Sequence, residues 1–222
     1  SLMKSFISTH CTLLCVFCAV AVALHGGDGW ETAMTKDGIT VYLGDPGVSM
    51  IRECKGTMTL EGVTLSSIMA LMDDTEAYSK WMYNCSGAKL LQKVSLYERV
   101  VYLAQKFPFG LSNRDLVNRS FVSQDQDSKA ITVRFEGEPG YLPPVKGMVR
   151  IPLLKGYWKF SPAGPGKVAV EYLFLMDPGG TIPAWMVNLG LADAPYRTLL
   201  GLKKMVTKDK YRTAVIPQLM EP

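Results

Sequence analysis

The sequence predicts an α+β fold in which a curved antiparallel sheet wraps around one long C-terminal helix. Three observations predict it. Six alternating apolar/polar stretches follow one another between residues 86 and 176 with short links, the pattern of an antiparallel meander. Asp177-Pro178-Gly179-Gly180 then stops the last strand, because two glycines reach backbone conformations closed to other residues. From Trp185 onward apolar residues recur at 185, 189, 192, 196, 199, 202 and 206, steps of three and four that put one stripe on one helical face.

In chain order, Ser1-Leu2 ahead of Met3 reads as residues added for expression, and residues 1–23 as a signal peptide. Lys4 is followed by an apolar run at 13–24 and an Ala21-Val22-Ala23 cleavage site. Twelve apolar residues suit a secretory core better than a membrane span. The expected location is therefore the periplasm or the outside of the cell, with a retained membrane anchor as the alternative. Residues 24–222 read as one domain. Ile39, Val41 and Leu43 alternate with Thr40 and Tyr42, a turn is expected at 44–47, and 52–60 alternates again; together they predict a first hairpin. Short helices are expected at 65–73 and 75–82, with a cap at Asp74-Thr75. Strands follow at 86–95, 97–107, 114–124, 130–136, 149–160 and 167–176. The last element is expected to be one helix of about 27 residues, spanning roughly 40 Å and kinked at Pro195.

Composition removes several function classes. Only His10 and His25 occur, so beyond the N-terminus no Ser-His-Asp or Cys-His nucleophile system and no histidine-bound metal can form. Cys54 and Cys85 are the only cysteines past residue 23. They make no disulfide framework and read as two separate buried thiols, a single bridge being the alternative. The formal charge of +4 becomes +3 without Lys4, too small and dispersed for nucleic acid but compatible with visits to an anionic membrane. No catalytic residue, cofactor or metal is expected.

Three segments carry a family resemblance: KFPFGLSNRDLV at 106–117, GMVRIPLLKGYWKF at 147–160 and DPGGTIPAWMVN at 177–188. Together, in register over roughly residues 30–212, they resemble START domains, the StAR-related lipid-transfer family, and most of all its phosphatidylcholine transfer proteins. The resemblance implies a helix-grip fold with a closed, lipid-sized cavity, a monomer, and transfer of one lipid between membranes. It makes Arg114 the candidate for contacting a lipid phosphate; a structural arginine bonded to backbone or an acid is the alternative. Asp115 reads as structural. Leu116, Tyr172 and Leu189 are candidate wall residues. Trp158 and Trp185 are candidates for an aromatic contact to the headgroup, with core packing as the alternative. Tyr141 and Leu142 sit in 137–147, a Gly/Pro-rich loop that the resemblance places at the cavity mouth. Steroid-binding members place an acid and a second arginine in the cavity; the matching positions here are Val101 and Ser120, with Arg119 one residue off and facing away. Phospholipid is therefore expected over sterol. Two rival functions are an enzyme of the helix-grip class, cyclase- or hydrolase-like, using Asp115, Glu136 or Tyr172, and a membrane-tethered lipid sensor.

Overall fold

The structure, a computed structural model, describes residues 29–44, 51–107 and 110–222, apart from the side chains of Ala184, Asn188 and Leu189. The signal-peptide segment, most of the expected 44–47 turn and the Leu189 side chain lie outside the described residues.

Ten strands form one sheet: β1 Trp30–Lys36, β2 Ile39–Gly44, β3 Cys54–Glu61, β4 Cys85–Lys93, β5 Glu98–Gln105, β6 Asn113–Gln124, β7 Ile131–Gly137, β8 Met148–Arg150, β9 Leu153–Pro162 and β10 Lys167–Asp177. Nine run in the order β1-β2-β3-β10-β9-β7-β6-β5-β4, while β8 pairs with β6 off that path. The meander is as expected, and the N-terminal hairpin joins it through antiparallel β3–β10 pairing, from Leu60↔Val168 to Cys54↔Phe174. Alternation sets the concave face. Ile131, Val133 and Phe135 are buried along β7, as are Ile39, Val41 and Leu43 along β2.

Helices α1 (Leu65–Asp73) and α2 (Tyr78–Trp81), joined by a 3₁₀ turn at Thr75–Ala77, close one end. Thr64 starts α1 with a reciprocal cap: its Oγ1 accepts from Ser67 N–H at 3.0 Å, and Ser67 Oγ accepts from Thr64 N–H at 3.4 Å. The Glu221 carboxylate accepts two further N–H groups of this turn, from Leu65 (3.0 Å) and Ser66 (2.8 Å), tying the C-terminal tail to α1. The C-terminal helices lie across the concave face. Tyr196, Leu199, Leu202 and Val206 are all buried there. Two glycines set the spacing. A Cβ on Gly201 would lie 2.2 Å from the Trp81 carbonyl oxygen, and one on Gly56 would lie 2.5 Å from Leu199 Cδ1.

Three expectations are corrected. β1 is an additional strand. The stretch 149–160 is two strands: it breaks at Ile151-Pro152, and β8 turns aside to pair parallel with β6 through Arg114↔Val149 and Asp115↔Arg150. Proline at 152 withholds a ladder donor, which favours such a break. The single kinked helix is two, α3 (Ala184–Gly190) and α4 (Asp193–Val206), followed by the short α5 (Asp209–Arg212). Pro195 does not kink a continuous helix. It stands in the first turn of α4, where its missing N–H would have had no helical acceptor.

Candidate functional site

A cavity of about 200 Å³ lies between the concave sheet and the helices. The sheet contributes Leu103, Leu116, Phe135, Trp158, Tyr172 and Phe174; Ile182, Met186, Val187 and Leu191 close it from α3 and its approach. Asn84, Gln105, Asn118 and Thr198 are among the few polar lining groups, and no charged side chain lines it among the described residues. Tyr172 stacks on Trp158 with ring centroids 3.7 Å apart, and Trp158 meets Trp81 edge-on at 6.1 Å. Burial, followed by the nearby Cys54, pushes the Tyr172 phenol well above its usual range, so it presents a neutral hydroxyl.

The C-terminal segments over this cavity are tied down at three points. Cys54 Sγ donates to the Leu191 carbonyl at 3.6 Å, at the joint between α3 and α4. Burial, opposed by Arg52, pushes this thiol up to about 12. Tyr83 N–H donates to Thr198 Oγ1 at 3.2 Å. The third tie is Arg114, 2% exposed. Its Nε donates to the Pro178 carbonyl at 3.1 Å and its Nη2 to the Gly179 carbonyl at 3.0 Å, with Nη1 on the Ser112 carbonyl and the guanidinium 4.3 Å above the Phe107 ring. A buried cation is stable there because several backbone acceptors converge on it. Arg114 thus sits outside the cavity lining and fastens the turn from which α3 departs.

Asp115, on the opposite face of β6, ties down a second segment. It is fully buried and accepts from Arg150 Nε and Nη2, both at 2.9 Å, a two-pronged pair. That hydrogen bonding raises the Arg150 pKa. Arg150 also donates to the carbonyls of Pro139 (2.7 Å), Leu142 (3.0 Å) and Pro143 (3.2 Å), so one side chain fastens the 137–147 loop at three points. Adjacent residues on one strand therefore hold two separate segments, the 178–179 turn and the 137–147 loop.

The expected site residues separate into three groups. Leu116, Trp158 and Tyr172 do line the cavity. Tyr141 and Leu142 belong to the tethered loop and do not; the Tyr141 hydroxyl bonds to Gln92 Oε1 at 3.1 Å, and the Leu142 carbonyl is held by Arg150. Trp185 is 62% exposed, on the outer side of α3, so it neither lines the cavity nor begins the buried stripe. A short helix cannot turn both positions 185 and 187 inward, and Val187 takes that place. Arg119 faces away as expected, bonded to Glu98 (2.6 Å) and Glu138. The acid–base trio of the enzyme reading does not converge. Glu136 is exposed, Asp115 is locked to Arg150, and of the three only Tyr172 lines the cavity. Cys54 and Cys85 are both free and buried.

One residue of consequence carried no assigned role in the sequence reading. Arg150 was visible as the arginine of GMVR.

Comparison with known proteins places this architecture. A family profile described as START domain matches residues 19–193. An uncharacterised protein of Pseudomonas aeruginosa is 32% identical over 181 residues, covering 82% of this chain and 88% of that protein. Phosphatidylcholine transfer protein of Mus musculus is 30% identical over 172 residues, covering 75% and 78%. Among solved structures, a STAR-related lipid transfer protein of Xanthomonas axonopodis superposes with a TM-score of 0.76 at 34% identity, over 82% of this chain and all of that one. With the helix-grip architecture and these similarities in hand, the chain belongs to the START domain family.

Proposed function

We propose that this protein carries one lipid at a time between membranes, shielding the lipid's apolar part in the cavity beneath α3. The observation that carries this reading is a mainly apolar cavity, with no charged lining side chain among the described residues, whose roof is a short helix separate from α4. Apolar surface leaving a bilayer is replaced by apolar protein surface at about 25 cal/mol per Å², so loading is close to an even exchange and needs no chemistry. A cavity of about 200 Å³ is smaller than ligand pockets usually are. Loading a lipid therefore requires α3 to move outward, since the strands around Leu103, Leu116 and Trp158 are fixed in the sheet.

The rim favours contact with a membrane. Trp185, Val145 and Leu153 are exposed on α3, on the loop ahead of β8 and at the start of β9. Exposed aromatic and aliphatic groups of this kind partition into the interface of a bilayer. The export reading rests on residues 1–23; N-terminal sequencing of the protein from its native host tests it.

A phosphodiester, the expectation from the resemblance, finds no cation among the described lining residues, and Arg114 is already engaged by carbonyls. A phospholipid would then keep its phosphate at the mouth. The test of the carrier reading is direct. Protein incubated with mixed-lipid vesicles and re-isolated should show one bound lipid by native mass spectrometry and should speed transfer of a labelled lipid to acceptor vesicles. Absence of both bound lipid and transfer would sink it.

A further inference from the structure

We propose that the thioethers of Met82, Met176 and Met186 reduce a lipid hydroperoxide carried in the cavity to the lipid alcohol, each becoming a methionine sulfoxide. This goes beyond the carrier reading above and rests on it. The three side chains reach the cavity from three separate places: Met82 just after α2, Met176 on β10 and Met186 on α3. Tyr172, Phe174 and Met176 follow one another along the cavity row of β10. Met176 is four residues from Tyr172, roughly 13 Å at strand rise, toward the turn from which α3 departs. Met186 stands on the roof helix itself, so cargo held beneath α3 lies among these sulfurs. No other lining group gives up an electron pair so readily. Neither cysteine nor histidine lines the cavity among the described residues. Cys54, near Tyr172, stays a protonated thiol, pushed up to about 12 and bonded to the Leu191 carbonyl, whereas the reactive form of cysteine is the thiolate.

The step needs no co-reactant. A sulfur lone pair attacks the terminal oxygen of the hydroperoxide. The S–O bond forms as the O–O bond breaks, and the hydroperoxide proton passes to the departing alkoxide, giving the alcohol. Sulfur loses two electrons and the peroxide gains them. Binding the peroxide beside the sulfur replaces a bimolecular encounter by an intramolecular one, which is where the acceleration comes from. Flexible methionines also suit a wall that changes shape around its cargo; only reduction leaves oxygen on the sulfur. The product is polar. A sulfoxide on Met186 puts an unpaired acceptor into an apolar wall, which is unfavourable, so the oxidised roof docks less firmly.

The test uses the full chain stripped of lipid, with a metal chelator present. Vesicles of phosphatidylcholine, phosphatidylethanolamine and diacylglycerol carry linoleoyl chains bearing a hydroperoxide; the same lipids reduced to hydroxides are the control, and hydrogen peroxide is the bulk oxidant. Peptide mass spectrometry locates added oxygen, and lipid analysis counts hydroperoxide and alcohol. Met34, Met148 and Met220, partly exposed and outside the cavity lining, are the internal standard. With the lipid hydroperoxide, Met82, Met176 and Met186 should be oxidised roughly tenfold or more faster than that standard, one alcohol appearing per sulfoxide. Hydrogen peroxide should show no such bias, and the hydroxide control no oxidation. Combining Met82→Leu, Met176→Leu and Met186→Leu should lower the alcohol formed per bound hydroperoxide by roughly tenfold or more. The same methionine pattern with both oxidants overturns the proposal. So does hydroperoxide taken up without sulfoxide, or a leucine variant that still reduces its bound hydroperoxide at the original rate. If that variant fails to fold, the pattern in the unaltered protein decides alone. Uptake of no lipid from either kind of vesicle defeats the carrier reading itself, an outcome distinct from uptake without reduction.

Discussion

Arg114→Met separates a clasp from a phosphate anchor. Methionine keeps much of the stem's bulk and removes every donor. The side chain is 2% exposed, so water cannot readily replace it. What remains is the set of carbonyls of Ser112, Pro178 and Gly179 that it now serves. An unmet buried acceptor costs about 1–3 kcal/mol, which applies in full to the Pro178 carbonyl and less to those of Gly179 and the exposed Ser112. Relief from burying the guanidinium offsets part of this, and so does rearrangement of the glycine turn. The net loss should be about 3 kcal/mol, which for a domain of this size lowers Tm by roughly 6–12 °C. Urea unfolding measures the loss. Hydrogen exchange should show residues 178–190 opening faster while β5 and β9 change little. Because the damage is to the lid, uptake of phosphatidylcholine and of diacylglycerol should fall by similar factors. Full stability combined with a selective loss of phospholipid would refute the clasp and restore the guanidinium as a phosphate ligand.

Three other outcomes are expected. Cys54, held above its usual range in the closed protein and bonded to Leu191 at the lid joint, should react with a thiol reagent only when α3 lifts; bound lipid should slow that reaction, and lipid-independent labelling would show another route to the thiol. Gly201→Ala should destabilise by about 1–3 kcal/mol despite alanine's better helix propensity, because its Cβ would meet the Trp81 carbonyl at 2.2 Å; a raised Tm would show that α4 stands further from α2. Burial raises the Asp74 carboxyl, but hydrogen bonds from Lys210 and Tyr211 outweigh it and leave the pKa lowered. That stabilisation is present above the unfolded value of about 3.9 and is lost as pH falls through the lower folded value, so Asp74→Asn should flatten the acid limb of stability, and an unchanged limb would count against the Tyr211 contact.

The strands were legible because each keeps one face buried. Ile131-Val133-Phe135 allows a single register, and the meander follows from short links. The cavity was legible only through the family resemblance, since by alternation alone inward Leu103 and Leu116 look the same whether they touch each other or line a space. The joint between α3 and α4 was hidden for a similar reason. Apolar spacing runs from 189 through 192 to 196 without a gap, and spacing alone carries no sign of a two-residue break. For Arg114 the sequence showed a cation on a strand but not its distant acceptors, which lie more than sixty residues away at 178 and 179. Trp185 failed as an inward residue because the face of a seven-residue helix is set by its docking rather than by the stripe of its neighbour.

That shortness bears on how the roof would behave. An isolated helix of seven residues lies well below the length at which helical structure persists in water. Once α3 leaves the cavity it has no means of remaining a helix, so its release is a local melting transition rather than the swing of a rigid door. The exchange rate should then rise with temperature as steeply as an unfolding reaction does, several-fold per ten degrees. A helix-favouring cosolvent should slow release by letting the undocked segment keep its shape and re-seat. Any cargo that re-nucleates those seven residues acts as its own latch, and the protein's residence time becomes a property of the lipid it holds.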